Sequence, residues 1–331
     1  MTTSRRGIIA AGCWTLDRIK LIDSWPGEEG LSRINETDRQ GGGSGHNLGV
    51  DIRRLDSDMP VFGIGLLGED ADGDFLLSRA ESAGIDTQQL ARTSQAETSY
   101  TDVMSVIETG KRTFFHHAGA NDLLTPDHFN FHDSSAKMLH LGLLGVHKRL
   151  DERWQDDTNG WVSILKNAKS AGLKTNVELV SIDPRRIREL CTPCLPYLDY
   201  LIVNDYEMGA LADIQTIKDG DTDEAQCIAA AQEVLQRGAM SLVCVHYPGG
   251  AACVTEQGTQ TVPAFAVDPA HIRGTAGAGD AFAAGLLYGI HEEWSVRNAM
   301  LLAHAVAASS LRSATTVGSV ESVDASLAFV N

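Results

Sequence analysis

From residue 138 to residue 245 the chain alternates apolar runs with amphipathic segments, and this alternation restricts its fold more than any other feature. Apolar runs at 138–144, 173–180, 200–203 and 241–245 have strand length, and the segments at 161–170, 206–213 and 223–237 carry helical periodicity. Strand and helix in turn argue a mostly parallel sheet with helices on both faces. Gly7-Ile8-Ile9-Ala10-Ala11-Gly12 reads as one more buried strand of that sheet. The N-terminal third breaks the pattern. Residues 15–23 and 33–38 alternate polar with apolar, as do 98–108 and 111–117 on either side of Thr109-Gly110. Strands with one wet face do not fit inside a sheet covered on both sides, so these four form a separate small sheet.

The 331 residues carry 27 basic and 44 acidic side chains, a net charge of −17. Such a field repels phosphate backbones and anionic lipid surfaces, which excludes nucleic acid and membrane as partners. No apolar run reaches the roughly 20 residues of a membrane span. Residues 1–7 lack the apolar core of a signal peptide, so a cytoplasmic location is expected. Of six cysteines only Cys191 and Cys194 have a chemically suggestive spacing, and no second pair or histidine cluster completes a zinc site. They are expected to be unlinked thiols in a loop.

Four stretches carry candidate chemistry. The first is Gly274-Thr275-Ala276-Gly277-Ala278-Gly279-Asp280, a glycine-rich turn running into a helix over 280–290. Its backbone can approach a ligand closely, and the helix aims unpaired N–H groups at it, which suits a phosphate. Asp280 is either a dipole-stabilising acid or a catalytic one. The second is Gly41-Gly42-Gly43-Ser44-Gly45-His46-Asn47, a flexible loop or a binding loop, with a helix expected over 48–55. The third is Asn204-Asp205-Tyr206-Glu207, which reads as a helix cap with a near capping box. The fourth, Gly63, Gly65 and Gly68 after an apolar run, spells a dinucleotide fingerprint, but Glu69, Asp70, Asp72 and Asp74 crowd the pyrophosphate position. A second helix is expected over 295–311, with His304 in its middle.

Taken together these stretches resemble the ribokinase-like (PfkB) carbohydrate kinases. The first matches the family's Asp-Thr-x-Gly-Ala-Gly-Asp signature with Gly274 in place of the leading Asp, and the second its Gly-Gly-x-Gly-x-Asn loop with Ser44 where Lys is frequent. Asn204 and Glu207 match the Asn-x-x-Glu motif, and Gly65, Gly68, Asp70 and Gly73 match a further glycine pattern. Gly119-Ala120-Asn121 resembles a Gly-Ala-Asn common in the family. The resemblance implies a single ribokinase-like α/β domain over 1–331, with lid strands from about 13–40 and 97–118 and a homodimer through the lid. It implies transfer of the γ-phosphate of ATP to a hydroxyl of a small sugar or related polyol. Asp280 would be the base and Gly277, Ala278 and Gly279 would form the anion hole. Asp17, Gly42, Gly43, Asn47 and Asn121 would hold the sugar. Asn204, Glu207, Thr275, Gly250 and His304 would serve ATP, with Mg2+ held by Glu207 through water. The stretch Val245-His246-Tyr247-Pro248 lacks the glycine usual before Gly250. Without the leading Asp, activation by potassium should be weak. The rivals are a nicotinamide-dependent dehydrogenase, resting on Gly63, Gly65 and Gly68, and a non-catalytic sugar sensor on a kinase scaffold.

Overall fold

The computed structural model of the chain describes residues 5–313 and 315–330. Residues 1–4, part of the stretch read for a targeting signal, lie outside the described residues. Strands β1 (Ile8–Gly12), β4 (Val61–Gly68), β5 (Asp86–Thr93), β8 (Met138–Leu144), β9 (Lys174–Leu179), β10 (Tyr200–Asn204), β13 (Leu242–Tyr247), β14 (Gly250–Thr255) and β15 (Gly258–Pro263) build a nine-stranded sheet in the order β15-β14-β13-β10-β9-β8-β1-β4-β5. Seven of these strands pair in parallel and the β13-β14-β15 edge is antiparallel. A second sheet has four strands in the order β3-β2-β6-β7, from β2 (Thr15–Ile22), β3 (Ile34–Gly42), β6 (Tyr100–Val106) and β7 (Arg112–His117). Strands β11 (Ile217–Lys218) and β12 (Asp221–Thr222) make a small ribbon.

Both faces of the large sheet are covered, so its central strands are apolar throughout. In β1, Ile9 and Ala11 join a core with α4 (Gly160–Ser170), α5 (Pro184–Cys191), α6 (Asp205–Ala212) and α7 (Glu224–Gln236). Ile8 and Ala10 face the other side and pack with α1 (Ser44–Leu55), α2 (Ala71–Ser82), α8 (Ala278–His291) and α9 (Val296–Ser310). The alternation follows from the two-residue period of a strand. Two short helices, α3 (Lys148–Asp151) and α10 (Val323–Val330), complete the chain. Among the described residues no helix is long and apolar enough to cross a membrane.

Two local expectations need correction. Helix α1 begins at Ser44 rather than near residue 48, because Gly43 at φ 84° turns the chain straight out of β3 into the helix. The thiols of Cys191 and Cys194 are not in a loop: Cys191 ends α5, Cys194 sits in the following 3-10 turn, and both are fully buried and free. Burial pushes the Cys191 thiol up to about 12, which makes it inert.

The dehydrogenase reading fails on the position of its glycines. Gly63 and Gly65 lie inside β4 and Gly68 ends it, whereas a pyrophosphate turn must open a helix. Their lack of side chains serves Trp14, which is fully buried and donates from Nε1 to the Ile64 carbonyl at 3.2 Å. A Cβ on Gly65 would stand 2.5 Å from Trp14 Cδ1, and one on Gly63 3.0 Å from Trp14 Cζ2. Gly65→Ala is therefore expected to cost about 1–3 kcal/mol through overpacking. Chemical denaturation of the purified variant reads this directly, and an unchanged midpoint would mean that the indole has room to move.

Candidate active site

Helix α8 is preceded by Gly277 at its N-cap, whose φ of 80° is open to glycine at little cost. A Cβ there would run into the Thr316 carbonyl, so the turn is pressed against the segment after α9. The first turn of α8 presents its N–H groups beside Ala278, Gly279 and Asp280. Asn47, in the first turns of α1, donates from Nδ2 to Asp280 Oδ2 at 2.8 Å. Thr316 Oγ1 in turn donates to Asn47 Oδ1 at 3.2 Å. The glycine-rich loop near residue 43 and the turn near residue 277 are thus joined by one side-chain contact across more than 200 residues of sequence.

On the lid side of this contact, Asp17 of β2 lies over Gly42, where any Cβ would overlap its carboxylate. Burial, with Asp280 nearby, raises Asp17 to about 7, and Arg112 of β7 opposes that rise. Burial likewise lifts Asp280 well above the carboxylate range, reinforced by the adjacent Glu178. Part of Asp280 still faces the cleft. The Arg112 guanidinium closes this end: a Cβ on Gly274 would stand 2.6 Å from its Nη2. Asn121 is fully buried, with its Nδ2 at 3.5 Å from Cys13 Sγ and donating to the Trp14 carbonyl at 3.3 Å, bracing the turn between β1 and β2.

On the opposite side of Asp280 is a cavity of about 400 Å³ lined by Asn204, His246, Phe265, Thr275, Phe282 and His304, among others. His304 is held by a contact from Nε2 to the Val262 carbonyl at 3.1 Å, and burial lowers it to about 4, so it is neutral. Its ring stands edge-on to Phe282 at 5.1 Å, while His246 lies against the same phenyl at 5.0 Å. A mostly apolar cavity with aromatic side chains in its walls, beside a helix N-terminus suited to an anion, suits a purine nucleotide. Gly250 does not line it; it sits in the β13-β14 hairpin, where a Cβ would meet the Val262 carbonyl at 2.7 Å.

Asn204 caps α6 at the mouth of this cavity. Its Oδ1 accepts from the Glu207 amide at 2.8 Å, and Glu207 Oε2 accepts from the Asn204 amide at 3.3 Å, a complete capping box. Ser181 donates to Glu207 Oε1 at 2.8 Å. Burial raises Glu207. Among the described residues no three side chains of His, Cys, Asp or Glu converge as a metal cage. The donor set fits a hydrated magnesium ion carried mainly by nucleotide phosphates, the usual way that ion is held.

The profile of the family described as "pfkB family carbohydrate kinase" matches residues 14–322. The chain belongs to this family. It is an ATP-dependent carbohydrate kinase of the ribokinase-like fold, a phosphotransferase with an alcohol group as acceptor. Among similar proteins, the ATP-dependent ribose-1-phosphate kinase of Halopiger xanaduensis is 27% identical over 304 residues, covering 91% of this chain and 90% of that protein. The adenosine kinase of Saccharomyces cerevisiae is 26% identical over 267 residues, covering 78% and 74%. The crystal structure of ribokinase from Thermotoga maritima superposes with a TM-score of 0.78 at 21% identity, covering 98% of this chain and 99% of that one.

Several residues of this candidate site lie outside the motifs that carry the resemblance. Thr316, His246, Phe265 and Phe282 come from separate elements. Glu178 and His140 lie on strands read only as apolar runs. A lone acid in a buried strand was the one available signal for Glu178.

Proposed function

We propose that this kinase moves the γ-phosphate of ATP to a hydroxyl of a small free sugar or nucleoside, with Asp280 as the base. The observation that carries this is the Asn47–Asp280 contact of 2.8 Å, because it joins the helix-capped turn suited to phosphate with the loop suited to polyol. Asp280 takes the proton as the acceptor oxygen attacks, and the N–H groups of residues 277–280 stabilise the phosphoryl oxygens. Positioning and electrostatics of this kind supply most of the rate in phosphoryl transfer. Asp17, Gly42, Gly43 and Asn47 orient the acceptor. Thr275 and His304 hold the nucleotide. Asn204 and Glu207 suit the outer shell of a magnesium ion, which supplies charge neutralisation on the phosphates when bound. Supporting a nucleoside or pentose acceptor are the names of the relatives that act on adenosine and on ribose derivatives.

Release of ADP measured against ribose, fructose, sugar acids, adenosine and ribose 1-phosphate tests the reading. A neutral acceptor is expected to be preferred, because a sugar phosphate needs cations or donors to offset its charge and the loop offers Ser44 where Lys is frequent. Sugar binding with no ADP release would instead mark a sensor, and a phosphosugar turned over much faster than every free sugar would reverse the preference.

Potassium is expected to raise turnover less than tenfold. Gly274 offers no carboxylate, and charge count largely sets affinity at oxygen-ligand sites. The Arg112 guanidinium already lies where a side chain at 274 would project. The comparison is turnover at constant ionic strength with potassium exchanged for a large organic cation.

A homodimer through the lid accounts for its exposed apolar residues, Trp25, Ile34, Ile107, Phe114 and Phe115. Trp25 and Phe115 stack at 6.1 Å on that face. Sedimentation at micromolar concentration reads the state, and a monomer would leave the patch to another role.

A further inference from the structure

We propose that a cavity at the C-terminal ends of α1 and α2 is a second anion site, separate from the transfer site and suited to a small ligand with two linked phosphate groups.

The cavity, of about 380 Å³, lies between these two helices, the end of lid strand β3 and the segment after α9. Arg53 and Arg54 of α1 and Arg79 of α2 line it, together with Gln40 of β3, Ser82 and Thr315. None of the residues assigned above to acceptor or nucleotide does so. No carboxylate is among its lining residues, and Asp51, one turn before Arg54 on α1, is fully buried and does not reach it. Among the described residues, the hydrogen bonds of the three arginines all go to uncharged oxygens. Three cations in one cavity with no acid between them repel one another, in a chain whose net charge of −17 shows that acids were abundant.

A basic residue at each helix end has a local reason, since cations stabilise the negative end of the helix dipole. Arg53 also satisfies backbone groups, donating from Nε to the Ala83 carbonyl at 3.1 Å and from Nη1 to the Met59 carbonyl at 2.8 Å. Arg54 and Arg79 are less engaged. Arg54 donates from Nη1 to the Val317 carbonyl, and Arg79 reaches Gln40 Oε1 from Nη2 only at 3.5 Å. A guanidinium carries five N–H donors, so both keep most of theirs for a ligand. Their planar forks match phosphate oxygens bidentately. One phosphate group faces one or two such forks, whereas two linked groups can face all three.

The site meets the transfer site only through its walls. His46 precedes Asn47, and Val317, whose carbonyl Arg54 holds, follows Thr316. A ligand that bridges Arg79 and Arg54 therefore braces α2 and α1 against the segment after α9.

Pyrophosphate, without magnesium or nucleotide, is the probe. Calorimetry is expected to show saturable binding with a Kd below about 1 mM. Orthophosphate at equal ionic strength should bind about fivefold or more weakly, since it engages fewer forks. At about ten times its Kd, pyrophosphate should raise the melting temperature by about 2 °C. Arg79→Gln places the ligand, and it is expected to weaken pyrophosphate by about tenfold or more through the loss of a charge-assisted pair. The free variant should melt at the same temperature as the unaltered protein or higher, because repulsion among the three cations is relieved. Arg79→Lys should restore part of the affinity, and Arg54→Gln should weaken binding as Arg79→Gln does.

Equal affinity in Arg79→Gln, Arg54→Gln and the unaltered protein would put the anion at the turn before α8 and overturn the proposal. So would the absence of saturable binding, or chloride acting as well as pyrophosphate at equal ionic strength. A lower melting temperature for free Arg79→Gln would also overturn it, by marking that arginine as structural. None of these results bears on Asp280 as the base, which turnover tests.

Discussion

Asp280→Asn is expected to lower kcat by a factor of about 10² to 10⁴, the usual worth of a positioned general base. The fold should survive, because an Asn carbonyl at 280 can still accept from Asn47 Nδ2 at the place where Asp280 Oδ2 now stands. Burial already holds Asp280 well above the carboxylate range, so a neutral side chain removes little native-state charge interaction. The melting temperature should accordingly be unchanged or higher. The loss should appear in kcat with both substrates saturating, since proton removal belongs to the transition state rather than to binding. Release of ADP from the purified variant measures it. Turnover within a few-fold of the unaltered enzyme would remove Asp280 from the base's role and return it to helix capping.

Gly277→Ala is expected to lower kcat by about 10² to 10³, comparable to removing a donor from a preformed anion hole. At φ 80° an alanine is strained, by roughly 1–2 kcal/mol. The larger effect comes from its methyl meeting the Thr316 carbonyl, which forces the turn and the segment after α9 apart. The N–H groups at the head of α8 then no longer converge on one point. Thr316 is also bonded to Asn47, so some rise in the acceptor KM should accompany the fall in kcat. Steady-state kinetics in both substrates separates the two. A variant with full kcat would mean that the turn tolerates displacement and that the phosphate is held elsewhere.

Much of the fold and half of the site could be read along the chain, because those features are local. A two-residue period marked β2, β3, β6 and β7 as strands apart from the main sheet, although β7 and most of β3 are exposed on both faces rather than one, and short apolar runs marked β8, β9, β10 and β13. Strand β5, Asp-Thr-Gln-Gln-Leu-Ala-Arg-Thr, escaped because it is a polar edge strand with one neighbour. Strands β14 and β15 escaped because Gly, Ala and Thr carry little strand signal of their own and are held there by pairing with β13. The same limit applied to the glycines. Glycines in Gly-x-Gly-x-x-Gly spacing signal only that side chains are absent. That Gly63 and Gly65 clear space for Trp14, while Gly277 bends a backbone against Thr316, depends on what each one faces.

The sequence by itself determined the turn and its acid, the glycine-rich loop near residue 43, the Asn204 cap and the alternation that builds a parallel sheet, since each is written within about ten residues and obeys local geometry. Only the tertiary structure decided that Asn47 would touch Asp280 and that Arg112 would reach from the lid to Gly274. It alone decided that Glu178 would lie against Gly142 and within 2.8 Å of His140. Those contacts depend on strand order and register, which no single segment specifies: β8 and β9 meet because the whole sheet closes around its core, and the chemistry of their buried polar residues exists only once they are adjacent.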